Sequence, residues 1–288
     1  PLGASSVPGW RAHGSTLRKA RAHGALPPVF VRQTTMTSFK DHFSQVAGAY
    51  ASWRPTYPDA LFDAIASVVA GGVSVWEPGC GSGQATRGLA ARFAHVFATD
   101  PSSAQIQQHW ANAAATINVE LGVESAEATS LADNGVGLIA VAQALHWFDR
   151  SRFFAECERV LHPGGVLAAW TYQDIVFSED LAPAAEAFRA EIEPYWPPER
   201  ADVDAGYAGY AWPFPALPSP TLWLTAEWNL PQLLGYLGSL SATTRCSAAT
   251  GQDPVERHAD TFATAWGVAE DARTMRWPLI LHLSQKPL

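Results

Sequence analysis

Three glycines on alternate positions, Gly79, Gly81 and Gly83, follow an acidic residue, Glu77, and precede a run with helical spacing from Gln84 to Phe93. Glycine lets the backbone turn sharply and lets a ligand approach where a Cβ would clash. Strand, glycine turn and helix in that order build a nucleotide pocket. The next strand-like segment, Val96-Phe-Ala-Thr-Asp100, ends in a carboxylate about 20 residues on, where α/β nucleotide sites place a ribose acceptor. The spacing here is G-x-G-x-G, and Gln84 stands where a dinucleotide fingerprint needs its third glycine. No Lys-Ser/Thr pair follows the turn, which excludes a P-loop. A plain structural corner can use the same glycines; the carboxylates on either side favour the pocket.

These residues must be carried by regular elements, and the chain supplies them in alternation. Strand patterns fall near 73–77, 95–99, 117–122, 137–142 and 165–171; helical patterns fall near 84–93, 102–114 and 149–161. That rhythm predicts an α/β fold with a doubly wound, mainly parallel sheet and its ligands at the carboxyl ends of the strands. An amphipathic entry segment (Phe39, Phe43, Val46, Tyr50) and a helix over 58–70, stopped by Gly71-Gly72, come first. Residues 172–274 break the rhythm. They hold Tyr195-Trp-Pro-Pro, Tyr210-Ala-Trp-Pro-Phe-Pro, a strand-like Thr221–Thr225 and helical patches near 230–240 and 254–267. The closing segment 276–283 reads as an antiparallel partner of 221–228. Six of the twelve tryptophans lie beyond residue 171, where aromatics glue a small lid together or line a cavity.

With 48% apolar and 16% charged residues the 288-residue chain is expected to be globular. No apolar run reaches the ~20 residues of a membrane helix, so a soluble, cytoplasmic protein is expected, with no membrane partner. Cys80, Cys157 and Cys246 form no C-x-x-C pair, which argues against a zinc site or a disulfide framework; no metal is expected. Residues 1–35 carry five basic residues and no acidic one, whereas 36–288 carry 14 basic against 27 acidic, a net charge of −13. So acidic a body repels phosphate backbones and argues against a nucleic-acid partner. Residues 1–35 show neither period and read as a non-core leader: upstream sequence, an expression remnant or an organellar transit peptide. The domain proper is expected over 36–288, in a monomer or homodimer.

Trp76-Glu-Pro-Gly-Cys-Gly-Ser-Gly83 resembles motif I of class I S-adenosylmethionine-dependent methyltransferases, and Ala98-Thr-Asp100-Pro101-Ser resembles their ribose-binding second strand. Ala126-Glu127, Ala142-Gln-Ala-Leu-His-Trp-Phe-Asp149 and Arg159-Val-Leu-His-Pro-Gly-Gly-Val166 follow in the family's order. Tyr50-Ala-Ser-Trp-Arg-Pro-Thr-Tyr-Pro58, with Gln143–Trp147, is similar to the trans-aconitate methyltransferase branch. The resemblance runs from about Phe39 to Leu283. It implies a seven-stranded Rossmann-like sheet with a lid insertion, S-adenosyl-L-methionine as cofactor, and methyl transfer to a small molecule at a carboxylate or hydroxyl oxygen.

The same resemblance distributes roles. Asp100 takes both ribose hydroxyls, and Gly79, Gly81 and Gly83 leave room for the methionine part. Glu77 orders the turn or meets the amino group through water. Ala126 and Glu127 fall on the adenine-side loop. Ser125 stands where many relatives carry the Asp that holds the adenine amino group, with Glu127 as a substitute; Gln105 replaces an apolar adenine neighbour. Gln143 faces the methionine half, while Tyr50 and Arg54 grip the cofactor carboxylate. His146 and Trp147 lie toward the substrate. There His146 acts as a base for a hydroxyl, hydrogen-bonds a carboxylate, or simply ties down its own loop. Two rivals stand beside this reading: a non-catalytic cofactor binder that regulates or scaffolds a partner, and a nicotinamide dehydrogenase, which Gln84 disfavours.

Overall fold

Successive residues of a strand point to opposite faces, and four central strands of this protein sort their side chains into two separate cores in that way. In the computed structural model, which describes residues 55–113 and 117–288, these strands are β1 (Ser74–Pro78), β2 (His95–Thr99), β4 (Val136–Ala142) and β5 (Leu161–Tyr172). Val75, Val96, Ala98, Leu138, Ala140, Val166, Ala168 and Trp170 enter one core. Their neighbours Trp76, Phe97, Ile139, Val141, Leu167 and Ala169 enter the other. Both faces are therefore covered, as a parallel sheet requires. The leader and the entry-segment residues Tyr50 and Arg54 lie outside the described residues.

The strand order is β3-β2-β1-β4-β5-β8, with β3 at Val119–Gly122 and β8 at Arg273–Gln285. The first five strands pair in parallel, and β8 runs antiparallel to β5 over Leu279–Gln285. Beyond β8 two short strands share the last edge: β7 (Leu222–Trp228) pairs along Arg273–Leu279 and β6 (Ala216–Leu217) along Leu283–Ser284. Eight strands thus fill seven lanes. The pairing of β7 with β8 is the antiparallel partnership the sequence pattern predicts.

Helix α1 (Asp59–Ser67) starts after Pro58, whose fixed φ suits a helix entrance, and buries Leu61, Phe62 and Ile65. Helices α2 (Thr86–Ala90) and α3 (Ser103–Ala113) place Leu89 and Ile106 in the same core as α1. On the opposite face, α4 (Arg150–Val160) is capped by the Asp149 carboxylate and packs Phe153, Cys157 and Val160 against the sheet. The insertion contributes α5 (Ala182–Ile192), α6 (Arg200–Asp204), α7 (Leu230–Gly238), α8 (Ser241–Thr250) and α9 (Pro254–Trp266). Helices α7 and α9 correspond to the two helical patches in the sequence. Helices α5 and α8 carry no such signal, because much of what they bury is Ala, Thr or Cys rather than a stripe of large apolar residues. No described helix is long and apolar enough to cross a membrane.

Candidate functional site

The glycine turn and Asp100 occupy one rim of the sheet. Register pairs Pro78 with Thr99 at the ends of β1 and β2, and Cys80 N donates to Thr99 O at 3.0 Å. Immediately beyond, Gly81 N donates to Asp100 Oδ2 at 3.0 Å, and Ser102 N donates to Oδ1 at 2.8 Å. The three glycines are all left-handed, with φ of 68°, 54° and 87°, but they are glycine for different reasons. A Cβ on Gly79 would lie 2.8 Å from Ala144 Cβ, and one on Gly83 would lie 2.3 Å from the His109 ring. A Cβ on Gly81 would meet only Gln105 Oε1, at 3.9 Å. Packing forbids a side chain at 79 and 83, whereas the face of Gly81 is open.

Glu77 lies beneath this turn with no exposed surface. Its Oε2 accepts the Thr86 hydroxyl at 2.6 Å, while Oε1 has no partner. Burial pushes its pKa up to about 8; the Thr86 bond opposes this and the nearby Asp100 charge adds to it. The carboxyl group is therefore mostly protonated at neutral pH. Gln84 serves the turn in another way, since its amide donates to Pro55 O at 2.8 Å and ties the incoming chain to it.

Helix α3 lays Gln105 and His109, one turn apart, against the glycines. His109 was not among the residues singled out from the sequence. It is 1% exposed, neither ring nitrogen has a partner, and burial lowers its pKa to about 4. On the neighbouring loop, Ala126 is buried, and Ser125 Oγ donates to Glu127 Oε2 while Asp149 N donates to Oε1 at 2.9 Å. Glu127 thereby fastens this loop to the start of α4. Gln143 has φ 51° and turns its side chain onto β5: Oε1 accepts Thr171 Oγ1 at 2.8 Å and Tyr172 N at 2.9 Å.

A 3₁₀ turn at Leu145–Trp147 follows β4 and carries His146, whose Nδ1 is 2.9 Å from Tyr207 Oη. Trp147 packs beside the imidazole with ring centroids 4.8 Å apart. Burial lowers the His146 pKa to about 4, with Asp202 opposing and Arg200 adding to the effect. Tyr207, fully buried with φ 61°, is another residue missed from the sequence. Nothing local marks it, since it acts on a residue 61 positions away.

Known proteins share this geometry. A family model described as a methyltransferase domain matches residues 76–169. A Dictyostelium discoideum protein named as a methyltransferase is 32% identical over 260 residues, covering 88% of this chain and 97% of its own. The chain belongs to the class I S-adenosylmethionine-dependent methyltransferases. A solved structure from Anaeromyxobacter dehalogenans, named as a type II methyltransferase, aligns with a TM-score of 0.76 at 38% identity, covering 82% of this chain and all of its own. An uncharacterised methyltransferase of Mycobacterium tuberculosis is 37% identical over 133 residues, which are 46% of this chain and 53% of its own.

The methyltransferase's cofactor is S-adenosylmethionine, and the residues fit it. The open face of Gly81 is a cradle that a Cβ would partly fill, and the Asp100 carboxylate beside it suits ribose hydroxyls, since each oxygen accepts more than one donor. The unpaired, buried Oε1 of Glu77 suits a cationic ligand group, whose charge would favour the ionised carboxylate. Among the described residues no cluster of His, Cys, Asp and Glu could hold a metal ion.

Proposed function

We propose that this methyltransferase acts on an oxygen of a small molecule, a carboxylic acid or hydroxyl compound, in keeping with the trans-aconitate branch that its motifs resemble. The observation that carries this reading is the cover that the insertion lays over the turn after β4, where Tyr207 Oη is 2.9 Å from His146 Nδ1; a small cleft also opens just beyond the end of β5. Asp174, Trp196, Arg200 and Tyr236 are among its lining residues. Arg200 also acts electrostatically on His146. Arg200 lies over the Trp196 ring at 4.3 Å and is paired with Asp174 and Asp204 at 2.7 and 2.6 Å, which keeps this wall fixed.

When bound, the cofactor supplies an electrophilic methyl group. The chain's own residues bind, align and exclude water. Asp100, Pro101 and Gln105 hold the nucleoside side in this reading, with Ala126 and Glu127 shaping the adenine edge. Gln143 sets the backbone between β4 and the substrate turn, where His146 and Trp147 face the acceptor. Tyr50 and Arg54 remain proposals for the cofactor carboxylate. The acidic body is consistent with a cytoplasmic enzyme that binds neither nucleic acid nor membrane.

The test has two arms. Calorimetry should show micromolar binding of S-adenosylhomocysteine. A radiolabelled methyl donor, incubated with enzyme and whole-cell extract, should then leave label in the small-molecule filtrate. Label confined to protein or RNA would overturn the small-molecule reading.

A further inference from the structure

We infer that Tyr207 is a positioning residue: it holds one edge of the His146 ring, so that Nε2 alone is presented to the methyl acceptor. This deepens the proposed reading, in which His146 faces the acceptor. What carries it is costly backbone at two separate places around one short turn. Among the described residues three non-glycines have a left-handed backbone, Asn134, Gln143 and Tyr207. Asparagine adopts that conformation readily, whereas glutamine and tyrosine do so only at a cost. Those two hold the turn after β4, one through β5 and the other from the insertion.

Gln143 ends β4 by a replacement within the sheet. Its N–H donates to Trp170 O at 2.9 Å, so a continuing parallel strand would set its carbonyl against Tyr172 N–H. The side-chain oxygen takes that N–H instead, at 2.9 Å, and also accepts Thr171 Oγ1 at 2.8 Å. The side chain thus fills the main chain's place on β5. At φ 51° the backbone leaves the strand for the turn that carries His146. One end of the turn is fixed before any ligand arrives.

Tyr207 fixes the ring that the turn carries. Helix α6 is closed by two bonds, Tyr207 N to Asp202 O and Gly206 N to Val203 O, both 2.9 Å, around the left-handed Gly206. His282 Nε2 donates to Gly206 O at 2.7 Å, which pins this cap to β8. One left-handed residue completes such a cap. The second, Tyr207 at φ 61°, is not needed to end the helix; it directs the phenol to His146 Nδ1, 2.9 Å away. Tyr207 has no exposed surface, and its ring stacks on that of Tyr210 with centroids 5.1 Å apart, so the phenol is held in place. In either tautomer Nδ1 is engaged with the phenol, and Nε2 is the nitrogen left for a ligand. Among the described residues Nε2 has no hydrogen-bond partner, yet it is not sealed from solvent. An oxygen bonded there is fixed relative to the incoming methyl group, as a carboxylate when Nε2 carries the proton and as a hydroxyl when it does not.

Tyr207→Phe keeps the ring and its stack and removes only the hydroxyl. In calorimetry the variant should bind S-adenosylhomocysteine as the wild type does. Transfer should nevertheless fall about tenfold, the upper scale of one net hydrogen bond. It is counted as total label passing from a radiolabelled methyl donor into whole-cell extract, whichever fraction takes it. Long-range ¹H–¹⁵N spectra of ¹⁵N-histidine-labelled protein give a second readout that needs no acceptor. The His146 signals are identified by their loss in His146→Asn, and the Nδ1 signal should move in Tyr207→Phe. Unchanged transfer, an unmoved Nδ1 signal, or transfer and cofactor affinity falling together would each overturn the inference. The small-molecule reading fails on where the label goes, this inference on how much is transferred.

Discussion

Replacing Glu77 by Gln tests whether the glycine turn rests on a carboxyl group that is neutral in the free enzyme. The native pKa is raised to about 8 from an ordinary 4.5. Below pH 4.5 the group is protonated in both folded and unfolded chains, and it contributes no pH dependence. Between 4.5 and 8 the native state holds a proton that the unfolded state has released, so stability falls as pH rises, by about 1.4 kcal/mol per unit. Across the whole window the loss is about 5 kcal/mol, of which about 3 has accrued by pH 7. Gln is an isosteric copy of the neutral form: its carbonyl accepts the Thr86 hydroxyl, and it carries no proton to lose.

The two proteins should therefore be nearly equally stable at pH 4.5, and the Glu77→Gln variant should gain about 1.4 kcal/mol on wild type for each unit up to pH 8. Urea unfolding at several pH values measures this, and taking the difference cancels the titration of every other group. A stability difference that stays flat between pH 5 and 8 would refute the reasoning. So would a wild type that gains stability relative to Glu77→Gln as the pH rises. The same substitution should weaken S-adenosylhomocysteine binding, because a neutral amide cannot answer a cationic group.

Further outcomes follow from the same rim. Asp100→Ala should weaken S-adenosylhomocysteine binding by about 1.5–3 kcal/mol in calorimetry, the scale of hydrogen bonds to a charged group. Gly83→Ala and Gly81→Ala should separate cleanly. The first drives a Cβ to 2.3 Å from the His109 ring at φ 87° and should cost well over about 2 kcal/mol in urea unfolding. The second meets open space at φ 54° and should cost about 1–2 kcal/mol of stability while greatly reducing cofactor affinity. His146 should remain neutral throughout pH 5–8 in an NMR titration, since burial holds its pKa near 4; imidazolium signals at pH 6 would contradict that burial.

The site divides by how far apart its parts lie along the chain. Strand β1, the glycines and Asp100 fall within about 25 consecutive residues, and the alternation of strands and helices repeats at intervals the sequence displays directly. Local steric rules act over such distances: β-branched residues extend, glycines turn and periodic apolar residues bury, so composition and spacing settle these features. The pairing of β7 with β8 was also visible, because each carries an alternating or aromatic strand pattern of its own.

Tertiary structure decided the rest, and in each case through contacts between residues with no local signature. Gly83 gives no sign that its neighbour is the ring of His109. Gln143 reads as a ligand-facing residue until β5 supplies Tyr172 N and Thr171 Oγ1 to turn it inward. Tyr207 belongs to an insertion whose packing brings it 61 residues back to His146. Helices α5 and α8 form because the fold packs against their small residues, not because those residues announce a helix. A backbone preference is stored in a few adjacent side chains, whereas the contact between His146 and Tyr207 exists only once the turn after β4 and the insertion have met.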